Sequence, residues 1–300
     1  MDEPKYFSLL KPPKGTMSHL VMAFSGWPDA NESATWSLRC FLKKLSTKKM
    51  AELDPEEFFD FGHVRPLINL NEEGVRDLRW PSNDLFYHDT NELSQRFIFL
   101  LATEPSLKWR TYCDTILDLV MKSGVHTVIH LGALVDAIPH TRPVRITGSA
   151  TDPETAKALA NLEIYPSNYQ GPSSISSAMM ERCSIKGLRF IALWGHGPHY
   201  LQAGPNLKVT HGLVQAVCQL LDIRLNLKDL SAAAITFDEE IGKSLEQDSH
   251  LTAYVEKLEK RYDDAATAVA GIPDGEEMVR EVEEFLKDQR DNENQGLGNQ

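Results

Sequence analysis

The sequence predicts an α/β protein of three layers (α/β/α), with helices over both faces of a mostly parallel central sheet, followed by a helical C-terminal extension. Three observations lead there. Short apolar runs of strand length recur through the first two thirds of the chain, closed by glycine or turn residues. Between them lie segments whose apolar residues repeat every three or four positions, the helical period. After Leu227 the strand signals stop. Strands alternating with helices of this length imply a largely parallel sheet covered on both sides.

Residues 19–26 (HLVMAFSG) are an apolar run ended by Gly26 and suit a buried strand. Trp27, Pro28, Asp29, Ala30 and Asn31 follow as a turn. Asp29 or Asn31 can cap the next helix, with Glu32 in its first turn. Ala34, Leu38, Phe41, Leu42 and Leu45 mark that helix's apolar face. Residues 58–61 and 64–70 read as strands. Residues 71–91 are polar, with a turn at 80–84, and read as an excursion, a hairpin spanning about 71–95 that leaves the core sheet. Residues 96–102 (RFIFLLA) form a second buried strand. Thr103, Glu104 and Pro105 then open a helix from about 106 to 122, with Trp109, Cys113, Ile116, Leu117 and Val120 on one face. Further strands are expected at 126–134, 144–147 and 188–194, and helices at 153–161, 173–184 and 205–221.

These elements make a core domain of residues 1–228. In the extension, 229–290, Ile241, Leu245, Leu251, Val255, Leu258 and Tyr262 keep mostly three- and four-residue spacing. That is one long helix, or two, with a narrow apolar stripe. Gly271, Pro273 and Gly275 break it. A last helix is expected at 276–289 with Met278, Val282, Phe285 and Leu286 inward. Residues 291–300 are expected to be a disordered tail.

The formal net charge of −12 repels phosphate backbones and anionic lipid, which excludes general nucleic-acid and membrane binding. No apolar stretch reaches the roughly 20 residues that span a bilayer. The N-terminal residues lack a basic region followed by an apolar run, so no signal peptide is expected and a cytoplasmic location is. The cysteines Cys40, Cys113, Cys183 and Cys218 form no C-x-x-C pair and fall among apolar neighbours. They read as reduced, buried thiols.

There is no P-loop, no G-x-S-x-G elbow and no H-E-x-x-H. Three loop segments at 26–30, 136–143 and 195–200 each follow a strand, so a parallel sheet brings them to one edge. The segment from Asp136 to Pro143 holds a carboxylate, His140 and Arg142, with prolines at 139 and 143 to stiffen it. Arg142, with Arg145 beyond it, can offer a planar fork to a carboxylate or phosphate. Alternatively, Arg142 pairs with Asp136 or Glu104 and only ties loops together. His196 and His199 stand three apart but on a Gly/Pro loop with no third ligand of diagnostic spacing, so no metal is expected. His126 and His130 read as core or edge histidines. Tyr169, Gly171 and Pro172 precede a helix start that Ser173 or Ser174 can cap. The candidate ligand-binding set is Trp27, Asp29, Asp136, His140, Arg142, Tyr169, His199 and Tyr200. The residues assign no catalytic group and no cofactor.

These segments, taken in order, resemble the proteasome assembly chaperone 2 family in its longer, bacterial-type form. The resemblance rests on Gly26 to Ala30; on Glu104–Pro105 with Trp109; on Leu131–Gly132–Ala133 with Asp136 and 139–143 (PHTRP); on Tyr169, Gly171 and Pro172; on 198–200 (PHY); and on Pro205–Asn206. It covers roughly residues 18–225. It implies a core similar to nucleoside phosphorylases and some hydrolases. It also implies a homo-oligomer, a trimer being favoured, and a C-terminal helical part near the loops that can carry a protein partner. The implied function is a non-catalytic assembly or interaction factor. The alternative is a protein that binds an anionic small molecule, or a phosphorylase- or hydrolase-like enzyme, with its site at the C-terminal edge of the sheet. Two positions depart from the family pattern. Asn31 stands where members carry glycine. The chain ends in Asn299–Gln300, whereas archaeal relatives end in a hydrophobic residue, tyrosine and one more, so direct docking of the tail on a proteasome is not expected.

Overall fold

The apolar runs become strands of one mixed sheet in a computed structural model of the chain, which describes residues 6–71, 74–90, 93, 95–201, 204–245 and 248–267. The main sheet has eight strands: β1 (Phe7–Leu9), β2 (His19–Ser25), β3 (Lys48–Leu53), β6 (Asn83–His88), β7 (Phe97–Thr103), β8 (Thr127–Asp136), β9 (Ile146–Ala150) and β10 (Arg189–Pro198). Their order is β1-β3-β6-β7-β2-β8-β10-β9. Strands β4 (Leu67–Leu70) and β5 (Arg76–Arg79) pair apart from it as a two-stranded ribbon. The helices are α1 (Ser33–Lys44), α2 (Trp109–Lys122), α3 (Pro153–Asn161), α4 (Ile175–Ile185), α5 (Leu207–Leu220), α6 (Lys228–Leu245) and α7 (Ser249–Thr267).

Alternation along β2 sets the layers. Leu20, Met22 and Phe24 point to one face and meet Tyr112, Ile116 and Leu117 of α2 and Met179 and Cys183 of α4. Val21 and Ala23 point to the other and meet Leu38 and Phe41 of α1 and Leu213 and Val217 of α5. Both faces are therefore covered, as the near-continuous apolar strands require.

The α/β class holds, but the sheet is less parallel than its alternation suggests. Strands β7, β2, β8 and β10 run parallel, while β1, β3, β6 and β9 are joined antiparallel at the flanks. The cause is connection length. A parallel return needs a crossover of a dozen or more residues, and the links before β7 and β9 are too short to recross the sheet. The segment 58–61 is no strand. Phe58 and Phe59 instead plug the core below α2, where the Phe58 and Tyr112 ring centroids stand 5.4 Å apart. Residues 83–88, within the stretch read as an excursion, are β6 of the main sheet, and the exposed ribbon sits earlier, at β4 and β5.

Helix α6 buries Leu230 and Ala234, and α7 buries Val255 and Leu258 of the apolar stripe. The glycine/proline break, the helix at 276–289 and the tail at 291–300 lie outside the described residues. Among the described residues no helix is long and apolar enough to cross a membrane. All four cysteines are free thiols. Burial pushes Cys113 and Cys183 up to about 12 and Cys218 to about 11, so none of these three is poised as a nucleophile.

Candidate functional site

The four parallel strands end on one edge of the sheet, and the loops singled out above meet there. The β2 turn is bound to β8 through the Ala133 N–H, which donates to the Pro28 carbonyl at 2.9 Å. The β8 and β10 exits are joined by the His199 N–H on the Asp136 carbonyl at 3.1 Å. Glu104, at the end of β7, accepts from the Ile175 N–H at 2.8 Å and from the Trp27 N–H. Burial raises its carboxyl above the usual range, and those two N–H groups partly offset the rise. One carboxylate thus ties the Trp27 turn to the start of α4.

The eight candidate residues divide by what they touch. Asp29 is a helix cap. Its carboxylate accepts from the Ala34 N–H at 2.7 Å, the Thr35 N–H at 3.1 Å and the Thr35 hydroxyl at 2.5 Å. Burial raises its pKa against these donors. Asn31 has φ 51° and Glu32 φ 53°, the left-handed region that favours glycine and tolerates asparagine next best. Asparagine at 31 therefore fills a glycine-like position without a change of backbone. Its side-chain amide donates to the Leu201 carbonyl at 2.9 Å and so holds the loop after β10.

Asp136 with His199, and His140 with Tyr200, form two hydrogen-bonded pairs that meet where the His199 and Tyr200 ring centroids stand 5.6 Å apart. Asp136 is buried; its carboxylate accepts from the Ala137 N–H and pairs with His196 Nδ1, both at 2.7 Å, with Arg145 at 3.8 Å. Burial alone would raise this carboxyl. The His196 hydrogen bond and charge, Arg145 and the Ala137 N–H more than offset it and hold the pKa below the ordinary value. His196 Nε2 stands 2.9 Å from the Thr147 hydroxyl. The Tyr200 oxygen accepts the His140 N–H at 2.7 Å and lies 2.8 Å from His140 Nδ1, which assigns its proton to that nitrogen and the Nε2–H tautomer to His140. Burial holds the His140 pKa below its usual value. His199 Nδ1 is 3.2 Å from the Asp136 carbonyl, leaving Nε2 to accept from the Tyr254 hydroxyl at 3.2 Å.

Tyr254 belongs to α7, which lies across this edge. Arg142 extends a two-pronged fork to Asp263, with Nε at 2.8 Å and Nη2 at 2.7 Å, and reaches Glu259 at 3.3 Å. Asp263 and Glu259 hold the guanidinium pKa above its ordinary value. Thr141 donates to Glu259, and the Tyr262 hydroxyl donates to the Pro143 carbonyl at 3.2 Å. On the other side Lys208 of α5 joins the His140 carbonyl to Asp238 of α6. The cleft left between loop 138–144 and helices α5 and α6 has about 10 Å³ of free volume, room for about one water molecule.

Arg142 therefore does pair with carboxylates, but with those of α7 rather than Asp136 or Glu104. Trp27 and Tyr169 stay out of the cluster. Both are exposed, and Tyr169 folds back so that its hydroxyl donates to the Pro172 carbonyl at 3.0 Å. No group of three or more metal-ligating side chains occurs among the described residues. The residues that sequence reasoning missed are Lys208, Asp238, Tyr254, Glu259 and Asp263. Tyr254, Glu259 and Asp263 flank the apolar stripe of α7 at helical spacing, which marks the helix side they occupy but not the loop they meet.

Fold and site define an α/β protein whose mixed sheet ends in a cluster of rigid loops closed by the chain's own last described helix. The chain belongs to the PAC2 family, whose pattern it matches over residues 23–245. No curated protein matches it. Among solved structures it is similar to a proteasome-assembly chaperone homologue of Mycobacterium tuberculosis, at 31% identity and a TM-score of 0.72, covering 79% of this chain and 99% of that one. A PAC2 family protein of Streptomyces avermitilis is similar at 32% identity and a TM-score of 0.70, with the same coverage. An archaeal proteasome activator of Pyrococcus furiosus shares the fold, at 15% identity and a TM-score of 0.63, over 79% of this chain and 97% of that one.

Proposed function

We propose that this protein is a non-catalytic assembly or interaction factor, similar in role to proteasome-assembly chaperones, that works as a homo-oligomer in the cytoplasm, a trimer being favoured. It engages a protein partner through the α6–α7 helices. The observation that carries this reading is the two-pronged Arg142–Asp263 pair. The side chain best suited to bind a substrate anion is taken up by the chain's own helix. With both His199 nitrogens and His140 Nδ1 also engaged, the cluster is built as a fastening for α7. The family match and the chaperone homologue among its similar structures supply the partner class, subunits of a proteasome or of a like assembly.

The test is association of the purified protein with proteasome α- and β-type subunits from the same cells, followed by light scattering. The expected result is a complex that is lost when α7 is removed. Absence of any complex, together with a small molecule released on denaturation in native mass spectrometry, would overturn the proposal.

One observation favours a second reading. A guanidinium that grips a carboxylate with two parallel hydrogen bonds can grip a free carboxylate or phosphate the same way. In that reading α7 is a cover, and an anionic ligand competes with Asp263 for Arg142 beside His140, His199 and Tyr200, without Trp27 and Tyr169, which stand apart. Citrate and phosphate should then raise the melting temperature of the native chain, and Arg142→Ala should abolish the rise. A rise that survives the substitution removes Arg142 from the site.

A further inference from the structure

A chain of side-chain hydrogen bonds that the fastening of α7 does not use ends at Thr147, near the margin of the main sheet. Three neighbouring strands supply it. Asp136 closes β8, His196 lies near the end of β10, and Thr147 is the second residue of β9. The register puts all three on one face. Pro198 pairs with Asp136 and Trp194 with Thr147, and His196 stands two residues from each of Pro198 and Trp194. The Asp136 carboxylate meets His196 Nδ1 at 2.7 Å, and His196 Nε2 meets the Thr147 hydroxyl at 2.9 Å.

Charge fixes the protons. The Asp136 carboxyl is held below its ordinary value, so at neutral pH it is ionised and can only accept. His196 Nδ1 therefore carries a hydrogen, and in the neutral imidazole Nε2 accepts from the Thr147 O–H. Carboxylate, imidazole and hydroxyl, each within hydrogen-bond reach of the next, are the arrangement that activates a hydroxyl as a nucleophile.

Strand pairing does not need these bonds. The backbone ladder already joins β8 to β10 at Asp136 and β10 to β9 at Thr147. A buried carboxylate and imidazole cost desolvation that an apolar contact would avoid. Burial also grades in the direction chemistry requires. Asp136 and His196 are buried, whereas Thr147 and its cross-strand neighbour Trp194 are half-buried. The base is kept from water while the hydroxyl lies on its solvent side. Arg145, two residues before Thr147, stands 3.8 Å from the Asp136 carboxylate and brings a positive charge to this edge, which favours a developing oxyanion.

We propose that Thr147 is a nucleophile that takes an acyl group from an activated ester, with His196 as its general base and Asp136 as the residue that positions His196. The Thr147 oxygen bonds to the acyl carbon as its proton passes to His196 Nε2. The bond from that carbon to the leaving oxygen breaks, its electron pair stays on the departing oxygen, and that oxygen takes the proton back from His196. The step ends at an acyl-threonine, one group per chain. It is a modification rather than a turnover, and it goes beyond the assembly-factor reading without resting on it, since it needs neither a partner nor α7.

The test treats the full chain with p-nitrophenyl acetate, follows release of p-nitrophenol and maps the acetyl group by mass spectrometry of peptides. The expected result is an acetyl ester on Thr147, with a burst of one equivalent per chain. Thr147→Ser should keep the burst and Thr147→Val should lose it; both leave the buried pair intact, so the fold should survive, checked by an unchanged melting temperature. His196→Gln should slow acetylation of Thr147 roughly a hundred-fold or more. Asp136→Asn should lower the limiting rate while the half-saturating ester concentration stays the same, a split that simple loss of structure would not give. A native chain with no acetyl group on Thr147, or a burst that survives Thr147→Val, overturns the nucleophile. Acetylation of Thr147 at the native rate in a folded His196→Gln chain overturns the role of the imidazole. Release beyond one equivalent that is lost in Thr147→Val would uphold the nucleophile and overturn the non-catalytic part of the assembly-factor reading.

Discussion

Asp29 was a candidate ligand-binding residue, and the structure makes it a cap, two roles that mutation separates. In Asp29→Ala the N–H groups of Ala34 and Thr35 lose their acceptor inside the protein. Losing a good cap costs about 1–2 kcal/mol and each buried donor left unpaired about 1–3 kcal/mol, with overlap between the two figures, so about 2–4 kcal/mol is expected. For a protein of this size that lowers Tm by roughly 5–15 °C. Asp29→Asn keeps an oxygen where the two N–H groups point. The Thr35 hydroxyl can turn to the Glu32 carbonyl, already 3.3 Å away. Its cost should be about 1 kcal/mol or less.

The pH dependence adds a second signature. Burial raises the Asp29 pKa on folding, so its favourable contribution is complete below the unfolded value near 3.8 and declines as pH rises through the folded value. Asp29→Asn has no such decline, so it should gain on the native chain as pH rises above about 4. Urea unfolding at several pH values measures both effects. If Asp29→Asn is as damaging as Asp29→Ala, or if Asp29→Ala is neutral, the capping account is wrong.

Two further outcomes follow from buried groups. His130 is fully buried between Phe24 and Trp194, with neither ring nitrogen hydrogen-bonded in the structure, and burial lowers its pKa to about 3. His19 is lowered to about 4 by burial and by the nearby His126 and Arg189 charges. The unfolded chain binds these protons near pH 6.5 and the folded chain does not, so stability should fall as pH drops from there to about 4, by at most about 1.4 kcal/mol per histidine per pH unit. His130→Phe should flatten that slope in urea titrations and stabilise the protein at pH 5; an unaltered slope would show that His130 does not set it. Tyr200→Phe strands the buried His140 N–H and should cost about 1–3 kcal/mol, read as a lower urea midpoint. No loss there would mean that water replaces the hydroxyl.

Local signals carried much of this fold. Asp152 followed by Pro153 and Glu154 marks a helix start, and α3 begins there with the Thr155 N–H on Asp152 at 2.9 Å. The apolar runs at 19–26 and 188–194 suit buried strands, and β2 and β10 lie there. What escaped was held by distant partners. Strand β6 opens with Asn83 and Asp84, which read as a turn; yet Asn83 is buried, and its side-chain Oδ1 accepts the Tyr112 hydroxyl at 2.7 Å. Strand β3 looks like a charged surface stretch, but Lys49 pairs with Asp84 across the sheet at 2.9 Å. At the candidate site, the turn residues and prolines announced the loops, and strand order brought them to one edge. The partner of Arg142 was hidden because it lies 121 residues later, on a helix whose stripe shows that it packs but not where.

The central claim is that α7 closes the loop cluster through Arg142, Glu259 and Asp263, and hydrogen–deuterium exchange of the Arg142→Ala chain tests it most directly. The account predicts several-fold faster exchange across α7 and in residues 137–145, with β2 and β8 unchanged. Equal exchange in the native and substituted chains across both segments would contradict it.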